Sequence, residues 1–483
     1  MITVYGTGTG TGTGAPPPLV GAADLVVGAA RHLAAAQLPA GARRLALGPL
    51  APALDEIAAY VRAGRPVAVL ASGDPGFFGI VRALGERFGA ASLDVRPSAP
   101  SVAVAFARLG LSWDDAVVVS AHGRDLRTAA NVCRAHRKVA VLTGPGAGPA
   151  ELAAALLPGP APAATAAAAV PSAAATTPHA EPPHAEPPSA GACATAGLAG
   201  AASGVDIGVA EAGADDRAVS GDERGGPERV LVVAAALGTA AESVVRVPLA
   251  EAAARSWPAG VSVVLCLGPE PSLVAGRART VAGGPAAPAG WALPEEEFAH
   301  RDSMITKSEV RALVLARLGP RTGELVWDVG AGSGSVAVEC ARFGAAVVAV
   351  DQDPDAVARV RANAAAHGVD VEAVRGRAPA VLAELPDPDA VFVGGGGAGL
   401  PAVVAAAARR ARRAVVVTLA AIDRAAAVRA ALREAGLVPD GVLLQSSRLA
   451  PLPGDVTRLA ATNPVLVLWA TRPLPPPAEG APA

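Results

Sequence analysis

The segment LVWDVGAGSG, residues Leu325 to Gly334, decides the fold of the C-terminal third of this 483-residue chain. An apolar run ends at Asp328 and is followed by a glycine at every second position up to Gly334. Glycine lets the backbone turn sharply and lets a ligand approach without a Cβ in the way. Asp351 ends the next apolar run, where a carboxylate can accept hydrogen bonds from both ribose hydroxyls of a nucleoside. The segment therefore predicts a strand, a tight turn and a helix that together bind a nucleoside.

The spacing favours S-adenosylmethionine (SAM) over NAD as that nucleoside. The dinucleotide pattern reads GxGxxG and directs a helix N-terminus at a pyrophosphate. Here the pattern is DVGAGSGS, with an acidic residue two positions before the first glycine. SAM has no phosphate and carries a positive sulfonium, so a carboxylate near the turn suits it. The candidate cofactor-binding residues of this region are Gly330, Ala331, Gly332, Ser333, Gly334 and Asp351.

Strand-like and helix-like stretches alternate on both sides of this turn, which predicts an α/β domain with a doubly wound, Rossmann-like sheet. Asp353 is expected to cap a helix that begins at Pro354, and Gly368 is expected to end it. The last two strands are joined by too few residues for a crossover helix, so we expect an antiparallel pair at one edge. The predicted strands are Val326–Val329, Ala346–Val350, Val371–Val374, Ala390–Val393, Val415–Leu419, Val442–Gln445 and Pro464–Trp469.

Three further segments are expected around the cofactor. In MITKSEVR, residues 304–311, Thr306 and Glu309 have capping-box spacing for the following helix, and Thr306 is expected over the cofactor mouth. GRAPAVL, residues 376–382, follows the third strand and places Ala378 where such domains hold the adenine. VFVGGGG, residues 391–397, follows the fourth strand, and its glycines leave space for a large, flat substrate.

Composition and charge exclude several classes of function. The formal net charge is −2 and basic residues cluster only at Arg409 to Arg413, so we expect no nucleic-acid partner. No run approaches the roughly 20 strongly apolar residues of a membrane span, and the first residues lack the features of a signal peptide. The four cysteines are scattered without paired spacing, which argues against a metal site and against a disulfide framework. We therefore expect a cytoplasmic protein with no metal and no membrane partner.

Changes in amino-acid composition along the chain predict its domain organisation. Residues 1–157 and 229–274 are expected to form one domain, and residues 297–474 a second one. Residues 158–228 are rich in Pro and Ala, with too few large apolar side chains to offset the entropy of ordering, and are predicted to be a disordered insertion. Residues 275–296 are expected to be a linker, and residues 475–483 a loose tail.

Taken together, these C-terminal segments resemble the CbiT-like domain of the precorrin-6B C5,15-methyltransferase (decarboxylating) family, the CobL family of cobalamin biosynthesis. Three N-terminal segments are similar to a two-lobed tetrapyrrole methylase domain of the CbiE type. They are VLASGDPGFFGI (residues 69–80), PSAPSVAVAFARLGLSWDDAVVVSAHGR (97–124) and VAVLTGPGAGPAELA (139–153). The two signatures occur in the order expected for the fused family.

The resemblance implies a substrate, a reaction and a second cofactor site. The chain would methylate precorrin-6B at C5 and C15 and decarboxylate the acetate side chain on C12, giving precorrin-8X, with two SAM sites. In the N-terminal half it implies that Gly73, Asp74 and Pro75 surround the amino-acid part of SAM, with Ser101 nearby. The family tends to assemble, so a homo-oligomer is compatible with the sequence. No catalytic acid or base is assigned.

Three alternatives stay open on the sequence. The substrate could be a cobalt-precorrin of the anaerobic branch of the same pathway. The C-terminal fold also resembles RNA methyltransferases. The N-terminal half could be a non-catalytic binding domain fused to one catalytic domain, because its start is a Thr-Gly repeat, GTGTGTGTGAPPP at residues 6–18, without the acid that the family usually has there.

Overall fold

The structure is a computed structural model, and it describes residues 1–7, 20–157, 228–239, 241–258, 262–269, 288, 290–301, 304–395 and 397–473. Most of the Thr-Gly repeat, nearly all of the predicted insertion, much of the predicted linker and the tail therefore lie outside the described residues. Three large sheets and one separate hairpin form the described part of the chain.

The first sheet has five parallel strands in the order β3-β2-β4-β1-β5. Apolar runs such as LVVG in β2 are buried on both faces, as expected for a parallel sheet covered by helices. Helix α2 turns Ala53 and Ile57 to the core. The strands are β1 Ile2–Thr7, β2 Leu25–Gly28, β3 Arg43–Ala46, β4 Val67–Ser72 and β5 Leu93–Arg96, and the helices are α1 Ala30–Ala35, α2 Leu50–Arg62 and α3 Val81–Phe88.

The second sheet has the order β6-β7-β10-β8-β9, in which only β6 and β7 are parallel. Strands from both sides of residues 158–227 belong to it, because β10 pairs with β7 on one side and with β8 on the other. The strands are β6 Val117–Ser120, β7 Lys138–Leu142, β8 Val230–Ala235, β9 Ser243–Pro248 and β10 Ser262–Leu267. The helices are α4 Ser101–Arg108, α5 Leu126–Ala135, α6 Pro149–Leu156 and α7 Leu249–Ala254.

The third sheet has seven strands in the order β13-β12-β11-β14-β15-β19-β16, and confirms the predicted fold class. Its first five strands are parallel, and β19 runs antiparallel to both of its neighbours. The strands are β11 Leu325–Val329, β12 Ala346–Asp351, β13 Glu372–Arg375, β14 Ala390–Val393, β15 Ala414–Leu419, β16 Val438–Leu444 and β19 Val465–Thr471. The helices are α8 Ser308–Leu318, α9 Ser335–Arg342, α10 Pro354–Ala366, α11 Leu400–Arg410 and α12 Ala425–Glu434.

One local prediction for this domain is wrong, and one local feature was not predicted. The helical stretch after β13 is a short 3-10 helix, Ala380–Glu384. The last two strands of the sheet, β16 and β19, form the predicted antiparallel pair at one edge, but their connection also contains an antiparallel hairpin, β17 Ser447–Leu452 and β18 Val456–Ala461. Helix α8 has Lys307 as its N-cap with no side-chain cap, so Thr306 and Glu309 form no capping box. The Glu309 carboxylate instead accepts hydrogen bonds from Arg448.

Two ion pairs, one buried and one partly buried, join the N-terminal half to the C-terminal sheet. Arg127 of α5 pairs with Asp389 at 2.7 Å, and Arg229 pairs with Asp370 at 3.0 Å. Asp389 directly precedes β14 and Asp370 lies just before β13, so these contacts are made at the amino ends of the parallel strands. The glycine turn after β11 lies at the opposite, carboxyl ends.

We predict that Asp370→Asn destabilises the chain strongly, because the buried charge of Arg229 would lose its carboxylate counter-ion. The side chains of Arg229 and Asp370 are 5% and 6% exposed. Breaking such a pair costs about 3 kcal/mol or more, which lowers Tm by about 6 °C or more. Asp55→Asn is the matched control, since Asp55 pairs with Arg87 in an exposed ion pair and should change Tm by about 2 °C or less. Equal melting temperatures of the two variants would contradict the prediction.

Candidate functional site

The turn after β11 is built from three glycines in the left-handed region of backbone space. Their φ angles are +75° at Gly330, +58° at Gly332 and +71° at Gly334, a region that other residues rarely adopt. A Cβ on Gly330 would lie 3.1 Å from the backbone N of Gly395, and one on Gly334 would lie 2.9 Å from Val360. A Cβ on Gly332 would meet nothing within 4 Å, so this backbone faces open space. The turn therefore leaves its middle exposed to a ligand.

Asp351, at the end of β12, holds this turn in place. Its Oδ2 accepts a hydrogen bond from the backbone N–H of Gly332 at 2.9 Å, and its Oδ1 accepts one from Asp353 at 3.0 Å. Asp353 in turn caps α10 by accepting from the backbone N–H of Asp355, which confirms the predicted helix start. The carboxylate of Asp351 is partly exposed beside Gly332, so a hydroxyl-bearing ligand can reach it.

Asp328, the last polar residue of β11, lies beneath the turn and is buried. Its Oδ2 accepts from the backbone N–H of Ala337 at 3.0 Å, whereas its Oδ1 is buried without a hydrogen-bond partner. Burial raises the pKa of Asp328 to about 7, and the nearby negative charge of Asp351 adds to the shift. An unpaired buried carboxyl oxygen under a ligand-facing turn is suited to a cationic ligand, which would stabilise the ionised form.

A crevice passes over the turn and has two parts that share Met304 and Gly332. The larger part has a volume of about 350 Å³, within the range of small-molecule sites. The smaller part, about 180 Å³, lies on the Asp351 side. Among the residues that line the larger part are Ile305, Thr306, Lys307, Ala331, Ser333, Phe392, Thr418, Leu419 and Val465. The open glycine backbone, the partly exposed carboxylate and the unpaired Asp328 oxygen fit an adenosine-bearing cation such as SAM.

A three-residue ion cluster supports the segment that borders the crevice. Arg448 of β17 pairs with Glu295 at 2.7 Å and with Glu309 at 2.6 Å. Glu295 also accepts from the backbone N–H of Ser308 at 2.7 Å, directly after Lys307 in the crevice wall. Hydrogen bonding to Arg448 lowers the pKa of Glu295 to about 2. No sequence pattern indicated this cluster, because Arg448 is more than 130 residues away from both glutamates along the chain.

The structure brings most of the predicted C-terminal residues together, with one exception. Thr306, Gly330, Ala331, Gly332 and Ser333 line the larger part of the crevice, Asp351 lines the smaller part, and Gly334 begins α9. Ala378 is in neither lining set and packs against the core instead. The loop before it is nevertheless attached to the site, because the backbone N–H of Gly376 donates to the Asp351 carbonyl at 2.9 Å.

In the N-terminal half, the predicted residues meet at the carboxyl ends of β1 and β4. Gly73 has φ +59°, its N–H donates to the Thr7 carbonyl, and its carbonyl accepts from Ser98. A Cβ on Gly73 would lie 3.0 Å from the Cα of Pro100, just before Ser101 opens α4. Asp74 and Pro75 continue the turn, with Asp74 Oδ1 accepting from the backbone N–H of Gly76 at 2.8 Å. The four predicted residues thus form one compact loop region.

Comparison with known proteins identifies the family. Residues 296–472 match a precorrin methyltransferase domain, and residues 18–181 match the tetrapyrrole (corrin/porphyrin) methylases. A precorrin-6Y C(5,15)-methyltransferase (decarboxylating) of a Sinorhizobium species is 34% identical over 391 residues, covering 78% of this chain and 73% of that protein. The chain belongs to this family. It is therefore a SAM-dependent C-methyltransferase, which confirms the prediction from the sequence.

The names of two shorter relatives contain one methylation each. A probable cobalt-precorrin-6B C(15)-methyltransferase (decarboxylating) of Pyrobaculum calidifontis is 40% identical, covering 37% of this chain and 94% of that protein. A cobalt-precorrin-7 C(5)-methyltransferase of Salmonella typhimurium is 38% identical, covering 32% of this chain and 78% of that protein. The decarboxylating C5,15-methyltransferase family thus has relatives that correspond in size to single halves of this chain.

The described residues contain neither a candidate metal site nor a candidate membrane-spanning helix. No group of three or more His, Cys, Asp or Glu side chains in the described ranges could hold a metal ion. No helix in the same ranges is both long enough and apolar enough to cross a membrane.

We predict that Asp328→Asn changes how stability depends on pH. Because folding raises the pKa of Asp328 to about 7, the neutral form is favoured in the folded state. Its contribution to stability is fully present below about pH 4 and is lost as the pH rises through about 7. Without SAM, Tm of the unsubstituted chain should therefore fall relative to that of Asp328→Asn between about pH 4 and pH 8.

Asp355→Asn, at an exposed position of α10, is the control for this comparison. Its Tm should follow that of the unsubstituted chain across the same pH range. Parallel curves for Asp328→Asn and the unsubstituted chain would show that Asp328 is already ionised in the folded state.

Proposed function

We propose that this chain methylates precorrin-6B, called precorrin-6Y in the names of its relatives, at C5 and C15. It also decarboxylates the acetate side chain on C12 and releases precorrin-8X. The observation that carries this proposal is the crevice over the glycine turn and Asp351, in a chain of the decarboxylating C5,15-methyltransferase family. We further propose two SAM sites, one in each half, and a cytoplasmic location.

In the C-terminal half, each candidate residue has a role that follows from its geometry. Asp351 accepts hydrogen bonds from the ribose hydroxyls, and the glycine turn lets the cofactor approach the protein backbone closely. Asp328 adds negative charge beneath the turn once a cation lies over it. Thr306 borders the mouth, with Phe392 on the crevice wall. SAM supplies a methyl group that is already activated on its sulfonium, so the protein contributes chiefly by orienting the reacting carbon.

We assign C15 methylation and decarboxylation to the C-terminal half, and C5 methylation to the N-terminal half. The two carbons lie far apart on the macrocycle, and each needs an in-line approach to a sulfonium methyl. The names of the two shorter relatives divide the activities in the same way, because decarboxylation accompanies C15 methylation in one and is absent from the other. Gly73, Asp74, Pro75 and Ser101 are the proposed SAM residues for C5 methylation.

Cobalt-precorrins are the second candidate substrates, since both shorter relatives are named for them. The cobalt-free substrate is favoured because the relative that matches 78% of this chain is named for a precorrin without cobalt.

The two halves can be tested separately within the full chain. Incubation with precorrin-6B and SAM should give a product that has gained two methyl groups and lost carbon dioxide, read by mass spectrometry. Asp351→Ala should abolish decarboxylation and C15 methylation, and should weaken SAM binding at that site about 10-fold or more. Asp74→Ala should abolish only C5 methylation. Asp355→Ala, at an exposed position outside both crevice parts, should behave as the unsubstituted chain.

Each alternative has its own outcome in this experiment. Two methyl transfers by Asp74→Ala would show that the N-terminal half is a binding domain. Turnover of the cobalt-containing substrate alone would place the chain in the anaerobic branch. Methyl transfer to RNA but not to any tetrapyrrole would contradict the proposed function altogether.

A further inference from the structure

A polar cluster next to the predicted N-terminal SAM loop consists of Arg31, His32 and Ser72. Arg31 and His32 belong to α1, which follows β2, and Ser72 is the last residue of β4. Because β2 and β4 are parallel neighbours, the cluster bridges the carboxyl ends of two adjacent strands. Ligands of open α/β sheets bind at this edge. Ser72 also directly precedes Gly73, so the cluster adjoins the proposed cofactor loop.

The three side chains hold one another in a defined arrangement. Arg31 Nη2 donates to Ser72 Oγ at 3.0 Å, and Arg31 Nε donates to His32 Nε2 at 3.2 Å. Ser72 Oγ lies 3.0 Å from the same His32 nitrogen. Since a guanidinium only donates, Nε2 must accept, and the imidazole is neutral with its proton on Nδ1. Burial, followed by the charge of Arg31, lowers the pKa of His32, which agrees with a neutral ring.

The cluster has positive charge, and no carboxylate of the described residues lies within ion-pair distance of Arg31. By contrast, Arg65, just before β4, pairs with Asp24, and Arg96, the last residue of β5, pairs with Asp94. Asp74, the acid closest to Ser72 along the chain, has its Oδ1 engaged by the backbone N–H of Gly76. A guanidinium that is oriented, exposed and without a counter-ion is suited to bind a carboxylate from a ligand.

We propose that Arg31 binds a carboxylate side chain of the tetrapyrrole substrate in the N-terminal half, with Ser72 and His32 as its positioning residues. The proposal rests on the proposed function, which supplies a substrate with many carboxylates. That carboxylate takes the place of the acid that Arg31 lacks. Anchoring one edge of the macrocycle beside Gly73 would set the position of the reacting carbon relative to the neighbouring SAM loop.

The test follows both methylations in the full chain at varied concentrations of precorrin-6B and of SAM. Arg31→Gln should raise the tetrapyrrole concentration for half-maximal C5 methylation about 10-fold or more, because a charge-assisted hydrogen bond is lost. The maximal rate, the SAM dependence, C15 methylation and decarboxylation should be unchanged. Arg31→Lys should recover part of the lost affinity, since lysine keeps the positive charge but lacks the planar guanidinium that can donate two hydrogen bonds to one carboxylate. Ser72→Ala should raise the half-maximal concentration only a few-fold.

Arg44→Gln, an exposed arginine of the edge strand β3, is the matched control and should leave every parameter unchanged. An unaltered tetrapyrrole dependence in Arg31→Gln would overturn the inference and leave the proposed function intact. The inference would also be overturned if the loss of C5 methylation in Arg31→Gln were relieved by raising the SAM concentration and not by raising the tetrapyrrole concentration.

If the unsubstituted chain adds no C5 methyl, the proposed function fails instead. Equilibrium titration with precorrin-6B in the absence of SAM then decides the inference by itself. Arg31→Gln must weaken one phase of tetrapyrrole binding about 10-fold or more relative to Arg44→Gln, and equal binding by the two variants would overturn it.

Discussion

The hydrogen bond from the backbone N–H of Gly332 to Asp351 is the interaction on which the C-terminal site depends. It joins the turn after β11 to the end of the neighbouring strand β12, and so fixes a backbone that three left-handed glycines make possible. Two features then follow from one contact. The middle of the turn stays open to a ligand, and the carboxylate that holds the turn is partly exposed beside it, where it can also bind ribose.

A second constraint is the polarity of the parallel sheet. The N-terminal half is joined to the amino ends of the strands by a buried ion pair at Asp370 and a partly buried one at Asp389. The crevice is at the carboxyl ends. The contact between the two halves and the candidate site therefore lie at opposite ends of one sheet, and the crevice is built from residues of the C-terminal half. This arrangement is compatible with family relatives in which each activity belongs to a separate chain.

Local patterns predicted the parts of the structure that local physics determines. The alternation of apolar runs, the glycine turn and the cap at Asp353 all depend on residues close together in the chain, and the structure confirms them. The hairpin β17–β18 and the contacts of Arg448 with Glu295 and Glu309 were missed, because they depend on pairing between distant segments. The capping box at Glu309 failed for the same reason, since a distant arginine binds its carboxylate. Likewise, the spacing of Arg31 from Ser72 contains no signal that the two would meet.

The two proposed SAM sites are tested most directly by a crystal structure of the full chain with S-adenosylhomocysteine, the demethylated form of SAM. We expect electron density for two ligands. One ligand should have its ribose hydroxyls hydrogen-bonded to Asp351 and should lie over the turn at Gly332. The other ligand should lie beside Gly73 and Asp74. Density at Asp351 alone would contradict the pair of sites. Ligand density away from both loops would contradict the assignment of the glycine turn as a cofactor-binding site.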